Sequence, residues 1–368
     1  MKKILIAGVC FFLLMFMVGC GSDAEVEEVP VPEVEPTVEV EPPIEEIPVA
    51  EDFTEKNEAL IAEIKTVRQN AVDVGAEDYF PEQMLELDEL STTTLDAYTN
   101  GGDGEDFYNK ASDILSKYEA MESAAKVVNA REKAIDAGAE NYFANELQVV
   151  DIFATEGLSV YQNGGAKSDF DVVANDSLFQ YQALEQAALI AQMQEKADAL
   201  GFEQYDPDAY ARGVEYSNNA IELFNSGADG ETLYNETVKA YNEFDAVLFA
   251  GYTELAKVEK GKYLETLGYA NEVKANMADK ENFLAATATC AKAEAELLAK
   301  NPEQAIETFE LANEQMTEVY ARVYEKRKAA ESYLNRANQS VERADEIAEK
   351  ADSIAPLSEE TVVEGEDL

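Results

Sequence analysis

The residues with the clearest potential for chemistry lie in the stretch "YTNGGDGEDF", residues 98–107, which holds three glycines and three carboxylates. Carboxylates suit Ca²⁺, and glycine-rich loops often hold phosphate. A calcium loop of the EF-hand type needs oxygen ligands at alternating positions and a closing bidentate glutamate. A phosphate loop needs a preceding strand and a lysine before serine or threonine. The stretch supplies neither set, so Asp103, Glu105 and Asp106 remain candidates only for a weakly held cation.

The same stretch returns twice, as "YQNGGAKSDF" at 161–170 and "FNSGADGETL" at 224–233, each copy 63 residues after the one before. The glycine persists in every copy, as Gly101, Gly164 and Gly227. The carboxylates do not persist, since Ala166 takes the place of Asp103 in the second copy. Glycine readily adopts the positive φ that ends a helix, and Asp103, Ser168 or Asp229 can cap the next helix. The pattern therefore predicts a turn between two helices.

The residue types present exclude several classes of catalyst. The chain contains no histidine, which removes histidine general bases, histidine-dependent triads and most zinc sites. Among 76 aspartates and glutamates, neighbouring pairs are expected by chance, and none lies in an apolar stretch that would tune its pKa. The sequence therefore predicts no catalytic residues, no cofactor and no enzyme activity.

The 63-residue offset extends beyond the turns. It links Gly75 with Gly138 and Gly201, Tyr79 with Tyr142 and Tyr205, Leu95 with Leu158 and Ile221, and Tyr118 with Tyr181 and Phe244. A diverged copy follows at a step of about 72, which pairs Phe244 with Met316. This period predicts helical repeats over 53–121, 122–184 and 185–249, and a diverged repeat with a long C-terminal helix over 250–353. Amphipathic tyrosines suit a binding surface, but their recurrence at the repeat period favours packing beneath the turns. This expectation applies to Tyr79, Tyr142, Tyr205, Tyr98 and Tyr161.

The segments between the turns have the apolar spacing of helices. From Phe107 to Val128, apolar residues follow at alternating steps of four and three, which predicts a seam that packs on other helices. Pro81, Pro207 and Pro302 mark helix starts. Shorter helices are predicted over 81–99, 144–162, 207–225 and 280–299, and longer ones over 105–137, 168–200, 231–267 and 303–353. Strand signals are nearly absent, so the predicted fold class is all-α.

The alternation in helix length predicts how the helices pack. The first half of each long helix should contact the preceding short helix, and its second half the following one. Each repeat then forms a three-helix bundle that shares its long helix with the next, a topology analogous to spectrin-like rods. The alternative is a solenoid of hairpins similar to tetratricopeptide repeats, because "NPEQAIETFELA" at 301–312 resembles one helix of such a repeat. Both readings predict an elongated array of small bundles or hairpins.

The first nineteen residues have the composition of an export signal. Lys2 and Lys3 precede an almost wholly apolar run over 4–18, which is too short to favour a permanent membrane span. The run ends in Met17-Val18-Gly19-Cys20, which resembles the lipobox of bacterial lipoproteins, with methionine where leucine is commonest. The resemblance implies cleavage before Cys20, a diacylglycerol on its sulfur and an acyl chain such as palmitate on its amine. An ordinary signal peptide or an uncleaved anchor is the alternative.

The lipoprotein reading has consequences for location and for the other cysteines. Cys20 is followed by Gly21 and Ser22 and not by aspartate, which in enterobacterial sorting favours the outer membrane. Cys290 is then the only cysteine left unmodified in the mature chain, so an internal disulfide is impossible. A lone cysteine on a predicted helix is expected to pack in the core.

Residues 20–52 are predicted to form an extended, disordered tether. Within 23–52, twelve of thirty residues are acidic, six are prolines and none is lysine or arginine. The segment 354–368 is predicted to be a second disordered and acidic tail. The net charge of −48 argues against nucleic acid as a partner and leaves cationic partners open.

These features predict a membrane-anchored cell-envelope lipoprotein that acts as a non-catalytic scaffold for protein interactions. Its anchor is the lipid on Cys20, and its acidic helical rod is held away from the membrane by the tether. A surface-exposed adhesin or host-ligand binder has the same features and is the alternative. A solute-binding lipoprotein with a pocket between helices is a third hypothesis. The sequence identifies no binding residues for any of the three.

Overall fold

A computed structural model describes residues 53–163 and 165–354. Within these ranges every regular element is helical, so the all-α prediction is confirmed. The signal segment, Cys20, the predicted tether, Gly164 and residues 355–368 of the predicted tail lie outside the described residues.

Twelve α-helices and one 3₁₀-helix make up the described part of the chain. In chain order they are α1 (Thr54–Asp73), α2 (Ala76–Tyr79), α3 (Pro81–Thr99), α4 (Gly104–Asp136), α5 (Ala139–Tyr142), α6 (Ala144–Gln162), α7 (Lys167–Leu200), the 3₁₀-helix (Phe202–Tyr205), α8 (Pro207–Ser226), α9 (Gly230–Glu272), α10 (Ala275–Ala278), α11 (Lys280–Leu298) and α12 (Pro302–Ile354). All eight predicted helices are present. Helix α1 lies in the predicted first repeat but outside those eight helices, and the four-residue helices were not predicted.

The largest difference from prediction is the end of α9, which was expected at 267 and lies at Glu272. Gly268 falls inside the helix, where a Cβ atom would meet nothing within 4 Å. A glycine in helical conformation weakens a helix without ending it. The helix ends instead just before Lys274, which adopts a left-handed conformation with φ 60°.

The element positions recur at the offset seen in the sequence. Helices α3, α6 and α8 begin at 81, 144 and 207, and α4, α7 and α9 begin at 104, 167 and 230. The residues with positive φ before the short elements follow the same series at Gly75, Gly138 and Gly201, and Lys274 occupies the corresponding place 73 residues after Gly201. Each lies just after a helix C-terminus, and at the three glycines no Cβ atom opposes the positive φ.

The described residues divide into two compact units, one of 53–196 with 210–244 and the other of 197–209 with 245–354. This division is coarser than the four predicted repeats, whose boundaries stay a prediction. Each unit is built from three-helix bundles.

The first unit contains three such bundles. In the first bundle, Leu60 and Ile64 of α1, Met84 and Leu87 of α3, and Phe107 and Tyr118 of α4 share one apolar cluster. In the second, Ala130 and Ala134 from the other half of α4 contact Leu147 and Val150 of α6 and Tyr181 of α7. In the third, Ile190 of α7 and Val214 of α8 contact Phe244 of α9. Helix α4 thus packs backward with one half and forward with the other, as predicted.

The second unit has one bundle. Its apolar cluster joins Tyr263 of α9, Cys290 of α11 and Phe309 of α12, with alanines at the close approaches between helices. Burying a large apolar side chain of this kind contributes roughly 1.5–3 kcal/mol to folding. Elsewhere in this unit Phe202 packs on Tyr252, with ring centroids 4.9 Å apart.

Candidate functional site

The carboxylates of the turn at 98–107 serve the helix that follows. The side chain of Asp103 accepts a hydrogen bond from the backbone N–H of Asp106 at 2.9 Å, and Asp106 pairs with Lys110 at 2.7 Å. Glu105 lies in the same first turn of α4. Negative charge at a helix N-terminus is stabilising, so all three residues have a structural role there. Within the described ranges, no group of three or more acidic or cysteine side chains is placed to hold a metal ion.

The turn at 224–233 is capped in the same way, and the turn at 161–170 is not. Asp229 accepts from the backbone N–H of Thr232 at 2.9 Å, as predicted. Helix α7 begins at Lys167, so Ser168 lies inside its first turn and the predicted Ser168 cap is wrong. The position before the helix is Ala166, whose side chain has no oxygen to offer.

A polar network joins the three helices of the first bundle. Arg68 of α1 donates from Nε and Nη2 to the two carboxylate oxygens of Asp88 in α3, at 2.7 and 2.6 Å. Tyr118 of α4 donates its hydroxyl hydrogen to Oδ1 of Asp88 at 2.5 Å. Arg131, Asp151 and Tyr181 repeat this arrangement 63 residues later, at 2.7, 2.8 and 2.6 Å. We call each group an Arg–Asp–Tyr network.

The electrostatics of the networks indicate a structural role. Hydrogen bonds from Arg68 and then Tyr118 lower the pKa of Asp88. Burial, followed by the bond to the carboxylate, raises the pKa of Tyr118 and of Tyr181. Asp88 therefore stays ionised and both phenols stay protonated around neutral pH. A carboxylate that accepts three short hydrogen bonds is a poor base, and a tyrosine 1% exposed is out of reach of substrate.

Sequence reasoning found the tyrosines of these networks but not their partners. The available signal was an Arg, an Asp and a Tyr spaced by 20 and 30 residues and recurring together at the 63-residue offset. In the third bundle the equivalent positions hold Gln194, Val214 and Phe244. There Tyr210 packs on Phe244 with ring centroids 5.6 Å apart, so an aromatic contact replaces the ionic one.

The third bundle also contains a groove of about 370 Å³ between α7, α8 and α9, and this is the candidate site. Its floor consists of buried residues, which are Ala183, Leu184, Ile190, Ala220, Leu233 and Thr237. Exposed Ile221, Asn218 and Asn225 form one rim, and Tyr142, Phe143 and Glu146 close one end. We call this feature the third-bundle groove.

An equivalent but much smaller cleft of about 40 Å³ lies in the first bundle. Eight of the nine residues that line it stand 126 residues, twice the repeat offset, before residues that line the groove. Two pairs are unchanged, Ile64 with Ile190 and Ser91 with Ser217. Four pairs become smaller, and they are Ile61 to Ala187, Lys65 to Ala191, Thr94 to Ala220 and Phe107 to Leu233. Leu95 to Ile221 keeps its volume, and Ala111 to Thr237 becomes slightly larger. The groove is therefore a recurrent gap of the bundle that has been widened by shorter side chains.

The walls of the groove are apolar and carry little charge. Glu146 is its one charged lining residue, and no lysine or arginine lines it. The hydroxyls of Ser217 and Thr237 donate to backbone carbonyls of their own helices at 2.8 Å, which leaves mainly their carbon atoms to face the groove. Amide groups for orienting a ligand are provided at the edge by Gln194, Asn218 and Asn225.

A second unassigned feature is the end of α12, where all 31 residues from 324 to 354 are exposed. In the buried part of the helix, core residues follow at steps of four and three from Ala305 to Val323. The same steps beyond Val323 reach two polar residues, Lys326 and Ser340. The apolar residues on the same side are Ala330, Tyr333, Ala337, Ala344, Ile347, Ala351 and Ile354, with Leu334 and Val341 beside them. We call these nine residues the extension face. Ile347 is 67% exposed and Ile354 84%, so the core pattern continues without a covering partner in the described residues.

The lone cysteine and the recurring tyrosines have structural positions. Cys290 is buried in the core of the second unit, where burial raises the pKa of its thiol. Tyr98 stacks on Phe107 and Tyr161 on Phe170, with ring centroids 4.3 and 5.0 Å apart. Both pairs lie next to a turn, which confirms the packing role predicted for these two tyrosines. Tyr142 and Tyr205 are 37% and 41% exposed, so the packing prediction is wrong for them.

Comparison with known proteins gives no relative from which to transfer a function. No protein-family model matches the chain, and no curated protein is significantly similar to it. Among the helices that the structure describes, none combines the length and the apolar character needed to cross a membrane.

Proposed function

We propose that this chain is a lipid-anchored, non-catalytic scaffold of the bacterial cell envelope. Lipidation at Cys20 is supported by the lipobox resemblance, and distance from the membrane by the proline- and glutamate-rich segment 20–52. The absence of histidine from the sequence and the structural use of the turn carboxylates and of Asp88 and Asp151 support a non-catalytic role.

The observation that carries the scaffold role is the extension face. A single helix of 31 exposed residues is only marginally stable in water unless its apolar side docks on something. The face continues the spacing that is buried upstream, so its geometry suits packing against one or two further helices. A helix that leaves such a side uncovered is an interaction element.

We assign a second copy of this chain as the occupant of the extension face. Residues 324–354 carry six basic and seven acidic residues, whereas residues 53–323 carry 20 basic and 52 acidic ones. Two copies would repel each other strongly through the rest of the chain but hardly at all through this helix. Near-neutral charge beside an apolar stripe therefore favours self-association there, and it gives a basic partner little to recognise.

Sedimentation equilibrium of the chain from residue 21 onward, which lacks the lipid, tests the assignment. We expect a dimer, and we expect L334E/V341E to weaken dimerisation at least a hundredfold by placing two charges in the apolar stripe. S332E/Q339E adds the same charges on the opposite side of α12 and should leave the dimer intact. A monomeric wild type, or equal loss in both variants, would overturn self-association.

Solute binding is the second candidate function. A scaffold does not need a groove of about 370 Å³ between its helices, whereas a solute-binding protein does. Ligand pockets in proteins range from about 300 to 1,000 Å³ and are mostly apolar with a few polar groups. The groove fits that description at the lower end of the range.

A further inference from the structure

We propose that the third-bundle groove binds one neutral, predominantly apolar small molecule. This inference concerns the first unit, whereas the proposed self-association concerns α12. The two can therefore fail separately.

The comparison between bundles indicates that the groove is more than loose packing. Of its eight repeat-equivalent positions, four have lost side-chain volume relative to the first bundle and one, Thr237, has gained a little, so the net change is a loss, and all four shortened side chains line the same gap. Ile190 and Ser217 are unchanged from Ile64 and Ser91 of the first bundle. Removing volume without collapse forfeits packing contacts, and a bound apolar molecule would restore them.

The size of the groove sets the size of the ligand. An apolar cavity of roughly 150 Å³ accommodates benzene. At about 370 Å³ the groove has room for two or three fused rings or an alkyl group of similar bulk. Access is provided on the side of Ile221, which is 52% exposed although it lines the groove.

The charge of the lining sets the ligand class. A buried anion needs a cationic partner, and the groove offers none. Glu146 at one end and the net charge of −48 oppose a carboxylate or sulfonate further. Glu146 is only half-buried, whereas the buried floor consists of aliphatic side chains and Thr237, so the main contacts are with uncharged surface. The amides of Asn218 and Asn225 can accept or donate a hydrogen bond at the open rim.

Fluorescence titration with neutral 1-aminoanthracene tests this proposal on the chain from residue 21 onward. We expect saturable binding of one probe per chain. The anionic probe 1-anilinonaphthalene-8-sulfonate should bind at least tenfold more weakly. The absence of saturable binding of the neutral probe would overturn the site, and equal binding of the anion would overturn the ligand class.

Variants that restore first-bundle residues locate the site. A187I/L233F fills the groove with side chains that pack at the equivalent positions Ile61 and Phe107, and it should weaken binding of the neutral probe at least tenfold. A191K introduces the equivalent of Lys65 at a partly exposed position, so it should preserve the fold, checked by circular dichroism, and weaken binding similarly. L298F/A321I makes comparable changes at exposed positions of the second unit and should leave binding unchanged. Unchanged binding in both groove variants would place the probe elsewhere and overturn the proposal.

The first bundle offers the converse test. I61A/F107L shortens two of the side chains that narrow the small cleft, and it should add a second, weaker probe site per chain. Failure to gain a site while thermal unfolding stays cooperative would contradict the argument that side-chain volume alone separates the groove from the cleft.

Discussion

Tyr181 donates its hydroxyl hydrogen to Oδ1 of Asp151 at 2.6 Å, and the same bond joins Tyr118 to Asp88 at 2.5 Å. In both cases the carboxylate also accepts two hydrogen bonds from an arginine on the remaining helix of its bundle, α1 for Arg68 and α4 for Arg131. The tyrosine is 1% exposed in each network. These networks specify which helices meet, because each is satisfied only when three helices are in register.

Replacing Tyr181 with phenylalanine should lower the free energy of unfolding by about 1.5–3 kcal/mol, the usual value of a hydrogen bond to a charged group. The ring itself fits, since Phe244 occupies the equivalent position of the third bundle. Urea denaturation measures the change. Y142F, which removes an exposed bond to Glu195 at 3.0 Å, is the control and should lower stability far less than Y181F. Equal losses of unfolding free energy in Y181F and Y142F would show that the buried network stabilises the fold no more than an exposed hydrogen bond does.

The network at Asp88 should make stability sensitive to acid. Because its pKa is lower in the folded chain than the value of about 3.9 expected when unfolded, ionised Asp88 stabilises the fold above pH 4. That contribution is lost as the pH falls through the folded-state pKa. Urea denaturation at a series of pH values should show a smaller loss between pH 5 and pH 2 in D88N than in wild type. D96N, which removes an exposed carboxylate of α3, should keep the wild-type slope, and a D88N slope equal to wild type would contradict the prediction.

Two glycines inside helices should respond to alanine in opposite directions. A Cβ atom on Gly157 of α6 would lie 2.8 Å from Cβ of Val173 in α7, so G157A should destabilise by about 1–3 kcal/mol through overpacking. Gly261 of α9 has nothing within 4 Å of that position, and G261A should stabilise by up to about 1 kcal/mol through helix propensity. Chemical denaturation of both variants checks the signs. Stabilisation by G157A would mean that α6 and α7 are further apart than described.

Lys274 stands where the earlier repeats have glycine, and it carries a positive φ of 60°. A side chain costs about 1 kcal/mol in this conformation, so K274G should raise the free energy of unfolding by about 0.5–1 kcal/mol. K292G makes the same change within α11 and should lower stability by about 1 kcal/mol. Differential scanning calorimetry should therefore show a higher unfolding midpoint than wild type for K274G and a lower one for K292G. A lower midpoint for K274G would contradict the assigned backbone conformation.

The helices could be predicted from the sequence because their ends are marked by single residues. Pro81, Pro207 and Pro302 begin helices α3, α8 and α12. Gly75 and Gly138 follow the ends of α1 and α4, where the positive φ favours a residue without a Cβ atom. These are local signals, and the repeat shows them several times. The predicted end of α9 at 267 is wrong because Gly268 behaves as an ordinary helical residue and the helix continues to Glu272.

The candidate groove could not be predicted because it depends on how the side chains of several helices pack against one another. Ala187, Ala220 and Leu233 are all compatible with a filled core, and each is unremarkable within its own helix. Only the packed structure shows that their shortened side chains face one gap. The Arg–Asp–Tyr networks were missed for a related reason, since charged residues such as Arg131 look like exposed ones until their partners are known.

Metabolic labelling with an alkyne analogue of palmitate in a bacterial host, followed by membrane fractionation, tests the central claim of a lipid-anchored scaffold most directly. The account predicts label and membrane association for the wild type and for C290A, whose altered cysteine is buried in the core. It predicts no label and release from the membrane for C20S. Label that persists in C20S, or an unlabelled wild type that does not associate with membranes, would contradict it.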